Sequence, residues 1–295
     1  MSIRSKIQSL IAAANTATGE SDATLTDAVQ TLVGGYGQGG GGDSSLLNSL
    51  IDGTITSINY SGSTIRSSAF NACQQLETIS APDVTTIGDG AFTRCTKLKN
   101  FVFPKVTSSG NQSFRYDSEI EEITTTNFPL ITNVSTSMFQ DCSKIAKVFL
   151  PGANVGQQAF AGCTSLKTAV FKSFSYSGNF SNCSALEAAD QTGGGNVAAY
   201  AFSNCGALTT LVLRSSTLRA LSNTNAFNGT PFKSGGAGGT IYIHKALYDH
   251  LGDGSALDYK AATNWSTVDG YGTITWAQIE GSIYETQYAD GTPIT

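Results

Sequence analysis

Between residues 70 and 227 the chain repeats one pattern of apolar and polar positions. Phenylalanines stand at 70, 92, 114, 139, 160, 180, 202 and 227, in steps of 20 to 25 residues. Cys73, Cys95, Cys142, Cys163, Cys183 and Cys205 each follow a phenylalanine by three residues, and Leu76, Leu98, Ile145, Leu166, Leu186 and Leu208 follow each cysteine by three. Steps of three predict a tight helical turn with one inward face, and the apolar alternation that follows, as in Phe101 and Phe103, predicts a short strand. Pro82, Pro104, Pro129 and Pro151 are expected to close the strands, because proline cannot donate to a ladder. Phe114 with Ile120, and Phe227 with neither partner, mark degenerate copies. A period of this length marks a solenoid, since one copy is too small to enclose its own apolar side and must stack on its neighbours. The expected architecture is an α/β repeat solenoid: a right-handed parallel coil of about eight repeats with short strands.

The ends read differently. Ile3, Ile7, Leu10 and Ile11 fit one face of a helix, and Leu25, Ala28, Val29, Leu32 and Val33 fit a second, with a turn at residues 19–22 between them. A helical hairpin this small needs a partner for its apolar faces, so residues 1–36 are expected to form a docking or oligomerisation module and the protein to be a homo-oligomer. A glycine-rich linker occupies residues 37–43, the solenoid residues 44–245, and a C-terminal cap with a tail residues 246–295. The linker contains Gly-x-Gly-x-x-Gly, but without the flanking strand, helix and acid of a dinucleotide site it reads as a tether. Arg4 and Lys6 precede an apolar run of five residues, Leu10 to Ala14, too short for a secretion signal.

Composition narrows the chemistry. A net charge of −5 disfavours nucleic acid, and no run approaches the roughly 20 apolar residues that span a bilayer, so no membrane insertion is expected. Charged residues make up only 13% of the chain, and there are only two histidines, which leaves little for acid–base chemistry. The cysteines lie in register with the core pattern and lack Cys-x-x-Cys spacing, so they are expected to be free buried thiols rather than disulfides or zinc ligands. No nucleophile elbow, Walker loop or His-Glu-x-x-His motif occurs, and no cofactor or metal is expected. Asp249, Asp253 and Asp258 lack a calcium-loop pattern and read as turn residues.

Strand alternation assigns two outward rows. One runs Thr78, Asn100, Glu122, Lys147, Thr168, Ala188 and Thr210; the other runs Ser80, Val102, Thr124, Phe149, Val170, Asp190 and Val212. Val102, Phe149, Val170 and Val212, with Asn100 and Lys147 beside them, form a candidate binding patch, since the repeat does not require them. Phe70, Phe92, Phe139, Phe160 and Phe202 with Cys73, Cys95, Cys142, Cys163 and Cys205 form the expected structural core.

The repeat resembles the BspA-like type of leucine-rich repeat: Ile87, Gly88, Gly90, Ala91, Phe92, Cys95, Leu98 and Pro104 match its Gly-x-x-Ala-Phe-x-x-Cys-x-x-Leu pattern and proline-ended strand. The segment Ile3 to Gly37, centred on Thr18 to Val29, looks like the leader of structural proteins of phages and prophages of gut Firmicutes. Together the two resemblances imply a non-enzymatic virion component that docks on other virion proteins through residues 1–36 and presents the coil to a host surface protein or glycan. A bacterial cell-surface adhesin of BspA-like type and a carbohydrate-active accessory module are the alternatives.

Overall fold

The computed structural model describes residues 55–60 and 62–294. The expected helical hairpin, with Ile3, Ile7, Leu10, Ile11, Leu25, Val29 and Leu32, and the glycine-rich linker lie outside the described residues. What is described is a parallel β-solenoid. Its strands are β1 (Ser57–Asn59), β2 (Thr64–Ile65), β3 (Thr78–Ser80), β4 (Thr86–Ile87), β5 (Asn100–Val102), β6 (Glu122–Thr124), β7 (Asn133–Val134), β8 (Lys147–Val155), β9 (Thr168–Phe174), β10 (Ala188–Gln191), β11 (Thr210–Leu213), β12 (Gly239–Ile243) and β13 (Ile274–Gln278). All neighbours pair in parallel. The main strand face comprises a three-stranded sheet, β1-β3-β5, and a longer one running from β6 through β8 to β13, while β2 and β4 pair on a second face.

The phenylalanines form one column. Successive rings from Phe70 to Phe227 lie 5.3, 5.0, 5.4, 5.4, 5.5, 5.9 and 6.0 Å apart with their planes nearly parallel, and all eight are buried. Offset stacks of this kind add to the area they bury. Trp265 extends the column, its ring 5.9 Å from Phe227 and its indole N–H donating to Arg219 O at 2.7 Å. Tyr259 packs edge-on against it, and burial pushes the Tyr259 phenol up to about 12.

The predicted helical turn is not helical. In the seven rungs from Phe70 to Phe202 the chain takes positive φ two residues before and two residues after the phenylalanine, as at Ser68 and Ala72, Gln112 and Tyr116, and Asn204; the Phe227 rung alone enters through a 3-10 turn. The N–H of Cys95 still bonds Phe92 O at 2.9 Å, but the N–H groups of Phe92 and Arg94 go to Ser113 O and Arg115 O of the next rung, at 2.7 and 2.9 Å. A helix would have kept these donors inside its own turn; here they extend the ladder round the coil. True helical turns occur only late among the described residues: α1 (Lys245–Tyr248), α2 (Trp265–Asp269), and short 3-10 turns at Thr224–Phe227 and Ile283–Glu285.

Two details of the pattern have physical causes visible here. Gly88 and Gly110 occupy a corner where rungs nearly touch: a Cβ on either would lie 2.3 Å from a backbone nitrogen of the preceding rung. Pro82 and Pro104 follow β3 and β5 as expected, but Pro151 does not end its strand. It sits inside β8, where the register breaks between Leu150 and Asn154. That irregularity takes up the missing donor.

Candidate binding surface

The register pairs Thr78 with Asn100, and Glu122, Lys147, Thr168, Ala188 and Thr210 in succession. The same ladders pair Ser80 with Val102, and Thr124, Phe149, Val170, Asp190 and Val212. The outward rows therefore run as read from the sequence. Their exposure differs along the coil. Val102 is 44% exposed and Asn100 is exposed, whereas Val170 and Val212 are fully buried.

What covers them is the chain's own C-terminal segment, a tail for which sequence patterning suggests no intramolecular role. It crosses the face of β8 to β12 and folds into a small hairpin, with Tyr288 N donating to Thr292 O and Ile294 N to Thr286 O. Tyr288 meets Phe149 edge-on at 5.4 Å, and Tyr284 meets Tyr242 at 4.6 Å. Lys147 Nζ pairs with Asp290 at 2.8 Å. Val170, Val212 and most of Phe149 thus do not belong to a free patch; of the four apolar residues only Val102 remains open.

Asp190 explains how the segment is held. Its carboxylate is fully buried and takes a two-point contact from Arg214, Nε to Oδ1 at 2.8 Å and Nη2 to Oδ2 at 2.7 Å. Burial raises the Asp190 carboxyl above its usual range, opposed by Arg214 and by the Ala289 N–H that donates to it at 2.9 Å. The guanidinium also donates to Tyr284 O at 2.7 Å and Gln287 O at 2.8 Å, and lies 5.1 Å from the Tyr288 ring centre. Sequence reasoning passed over Asp190 and Arg214. The signal was a lone acid between Val170 and Val212 in an apolar row, with a basic residue two positions beyond the latter.

The remaining strand face, over β1, β3 and β5, is uncovered by the tail. Thr78, Ser80, Asn100 and Val102 line it beside Pro82 and Pro104, and ion pairs between rungs flank it: Lys99 with Glu77 at 3.0 Å and Lys105 with Asp83 at 2.7 Å. These exposed pairs hold register but add little stability. At β5 the ladder stops. Asn127 bridges the gap to β6, its Nδ2 donating to Phe101 O at 3.3 Å and its Oδ1 accepting from Thr124 N at 2.9 Å. The resulting seam is a groove of 590 Å³ lined by Asn100, Val102, Glu121, Glu122, Asn127 and Lys147, among others.

The cysteines are all free and buried. They do more than fill space. Cys95, Cys142, Cys163, Cys183 and Cys205 each direct the thiol to the carbonyl of the preceding rung's phenylalanine, at 3.0, 3.0, 3.3, 3.1 and 3.1 Å. Burial pushes the Cys73 thiol up to about 11 and Cys95, Cys142, Cys163 and Cys183 higher still, so these groups are held as thiols rather than as nucleophilic thiolates. In the degenerate rung Asp117 occupies the cysteine position. Its side chain is fully buried, Oδ1 accepts from Cys95 N at 2.8 Å, and Oδ2 has no hydrogen-bond partner. Burial drives its carboxyl well above the normal value.

The acids near the C-terminal end serve turns. Asp258 accepts from Gly254 N and Lys260 N, and Asp253 from Ser255 N. Among the described residues no group of histidine, cysteine and carboxylate side chains has metal-site geometry, and no helix is long and apolar enough to cross a membrane.

A coil whose rungs repeat one inward column and one outward strand is the architecture of a repeat-solenoid protein. The chain matches the BspA type leucine rich repeat region, in six copies over residues 52–167 and 134–233, and belongs to that family. Solved structures similar to it include a leucine rich repeat protein of T. pallidum, at 20% identity over 44% of this chain and 78% of that one, TM-score 0.32. A leucine rich cell surface protein of Faecalibacterium prausnitzii A2-165 aligns at 16% identity over 65% and 74%, TM-score 0.28. A leucine-rich repeat protein of Bacteroides ovatus aligns at 14% over 76% and 84%, TM-score 0.22. No curated protein matches.

Proposed function

We propose that this protein is a non-catalytic recognition protein of the surface-adhesin kind, which binds a protein or glycan partner through the open strand face of β1, β3 and β5 and the adjoining seam. The observation that carries the reading is the division of the strand face. The chain covers β8 to β12 with its own tail, yet leaves Asn100 and Val102 presented beside a groove edged with polar side chains. Membership of the BspA-type repeat family supports a binding role and agrees with a cell-surface setting better than with a virion. Docking through residues 1–36, on which a virion role would depend, concerns residues outside those described. The burial of all six thiols supports the non-catalytic part, since it keeps the chain's cysteines away from any substrate.

The test is binding of the full chain to arrays of glycans and of extracellular proteins, repeated with Val102→Asp and Asn100→Arg. Both side chains are exposed, so the melting temperature should stay within about 2 °C of the parent, while binding falls at least about tenfold, equivalent to ~1.4 kcal/mol. Equal binding by parent and both variants would exclude this face. Cleavage of an arrayed glycan would replace the reading with an enzymatic one.

A further inference from the structure

The covered half of the strand face has the parts of a peptide-binding site. Three kinds of contact converge on the C-terminal hairpin. Arg214, fixed by Asp190, donates to two main-chain carbonyls of the segment, and Asp190 itself accepts a main-chain N–H. These contacts recognise backbone whatever its side chains. Two aromatic residues of the sheet, Tyr242 and Phe149, take two aromatic residues of the segment, Tyr284 and Tyr288, edge to face. Lys147 takes the acid at the hairpin tip, Asp290, whose side chain is only 1% exposed. Asp290 is held below the usual carboxylate range: burial opposes this, but the hydrogen bonds from Lys147 and Thr292 outweigh it.

Backbone clamp, aromatic contacts and a cation for an acid are how protein surfaces read a short segment. A tail that merely covered Val170 and Val212 would need only apolar side chains. Here a fully buried carboxylate and a guanidinium 13% exposed are committed to the main chain of a stretch some 70 to 100 residues away in sequence. Burying a charge pair costs desolvation and seldom adds net stability, so its placement speaks for specificity.

We infer that the face of β8 to β12 is a peptide-recognition site which the chain keeps filled with its own C-terminal hairpin. The ligand class it accepts is a turn-forming segment carrying an aromatic residue two positions before an acid, as Tyr288 stands before Asp290. The occupant in this structure is the chain's own segment. When that segment is displaced, the C-terminal segment of a second copy meets the same contacts and takes its place. This goes beyond binding at the open face; of the residues that hold the hairpin, Lys147 also lines the seam, and the others do not.

A labelled synthetic peptide of residues 281–295 is the probe. It is titrated into the full chain and into a full-length Tyr288→Ala/Asp290→Ala variant, whose sheet residues are untouched but whose hairpin has lost its ring contact and its ion pair. A short tether supplies an effective concentration of about 1 mM. Against a free peptide of ~10 μM affinity this self-occupancy weakens apparent binding about 100-fold. The variant should therefore bind the peptide about 100-fold tighter than the parent, and amide exchange over residues 283–294 should rise. Adding Arg214→Met to the variant should abolish the binding, and a peptide with Tyr288 and Asp290 interchanged should not compete.

Four results overturn the inference. One is a variant that binds no tighter than the parent while exchange reports its hairpin released. Another is exchange unchanged in the variant, because Tyr288 and Asp290 would then not be what the site reads. A third is equal competition by the interchanged peptide, which would mean apolar adhesion without recognition. The last is peptide binding that survives Arg214→Met in the released variant. Partner binding at the open face, read with Val102→Asp, is independent of all four.

Discussion

Replacing Asp117 with cysteine should make the protein more stable and remove part of its pH dependence. The carboxyl sits in the slot that five other rungs fill with a thiol directed at a phenylalanine carbonyl, is fully buried, and leaves Oδ2 without a hydrogen-bond partner. An unsatisfied buried polar atom costs about 1–3 kcal/mol, and a thiol at this site would instead face the Phe92 carbonyl as Cys95 faces that of Phe70. For a domain of this size, 1 kcal/mol shifts the melting temperature by about 2–4 °C, so Asp117→Cys should raise it by roughly 2–12 °C. The sign of the pH effect follows from linkage. The folded carboxyl is raised well above 3.8, so as pH climbs past the unfolded value the unfolded chain releases a proton that the folded chain retains. The contribution is therefore complete at low pH and is lost as pH rises from about 4 towards the folded value, at up to ~1.4 kcal/mol per pH unit. Asp290 and Glu77, both lowered, contribute the opposite slope at lower pH in both proteins, and subtraction cancels them. Urea unfolding of parent and variant at pH 4, 5.5 and 7 gives the difference directly. A variant less stable than the parent at pH 7, or a difference that stays constant across these pH values, would refute the account of Asp117 as a buried neutral acid.

Phe139→Ala, in mid-column between rings 5.4 Å away on both sides, should cost about 3–5 kcal/mol in chemical denaturation. A thiol-specific reagent at pH 8 should leave the native cysteines unmodified for hours, with Cys73 the first to react and all six reacting in denaturant; rapid native modification of Cys163 would contradict its burial. Gly110→Ala should destabilise by more than the ordinary ~1 kcal/mol of a glycine change, because the added Cβ lands 2.3 Å from the Asp89 backbone nitrogen; a melting temperature equal to the parent's would show that the corner relaxes freely. Arg214→Met leaves Asp190 buried and unpaired, so amide exchange over residues 283–294 should rise while the phenylalanine column keeps its protection.

The column and both outward rows were legible because they are periodic: Phe92, Cys95 and Leu98 recur in fixed steps, and a parallel ladder carries one rung's register to the next. The turn geometry was less so. Steps of three between Phe, Cys and Leu suit a helical turn and a pair of left-handed turns alike, and only the scattered Gly90, Gly162, Gly178 and Gly229 at the special positions hinted at the second. The thiols read as small hydrophobes, since spacing does not reveal that an S–H meets a carbonyl one rung back. The covering of most of the candidate patch was hidden for a different reason. Whether Val170 faces solvent depends on Tyr284 to Asp290, more than a hundred residues later, and no repeat links the two. Asp190 and Arg214 carried that information only as an exception to the pattern around them.

The Asn127 junction has a mechanical consequence. On the strand face two ladders of parallel strands meet at a single residue, Asn127, whose side-chain amide bonds Phe101 O and Thr124 N and whose carbonyl accepts the Phe103 N–H at 2.8 Å. Behind it the rings of Phe101, Phe103, Phe114 and Phe128 pack on one another, Phe101 stacked on Phe114, Phe103 on Phe128, and Phe114 edge-on to Phe128. A load pulling on a bound partner would therefore meet a stiff spine and a soft front. Beside Val102 no strand pairing crosses from β5 to β6 to resist widening of the groove, while contacts from Arg214, Asp190 and Lys147 to the tail tie the covered half together.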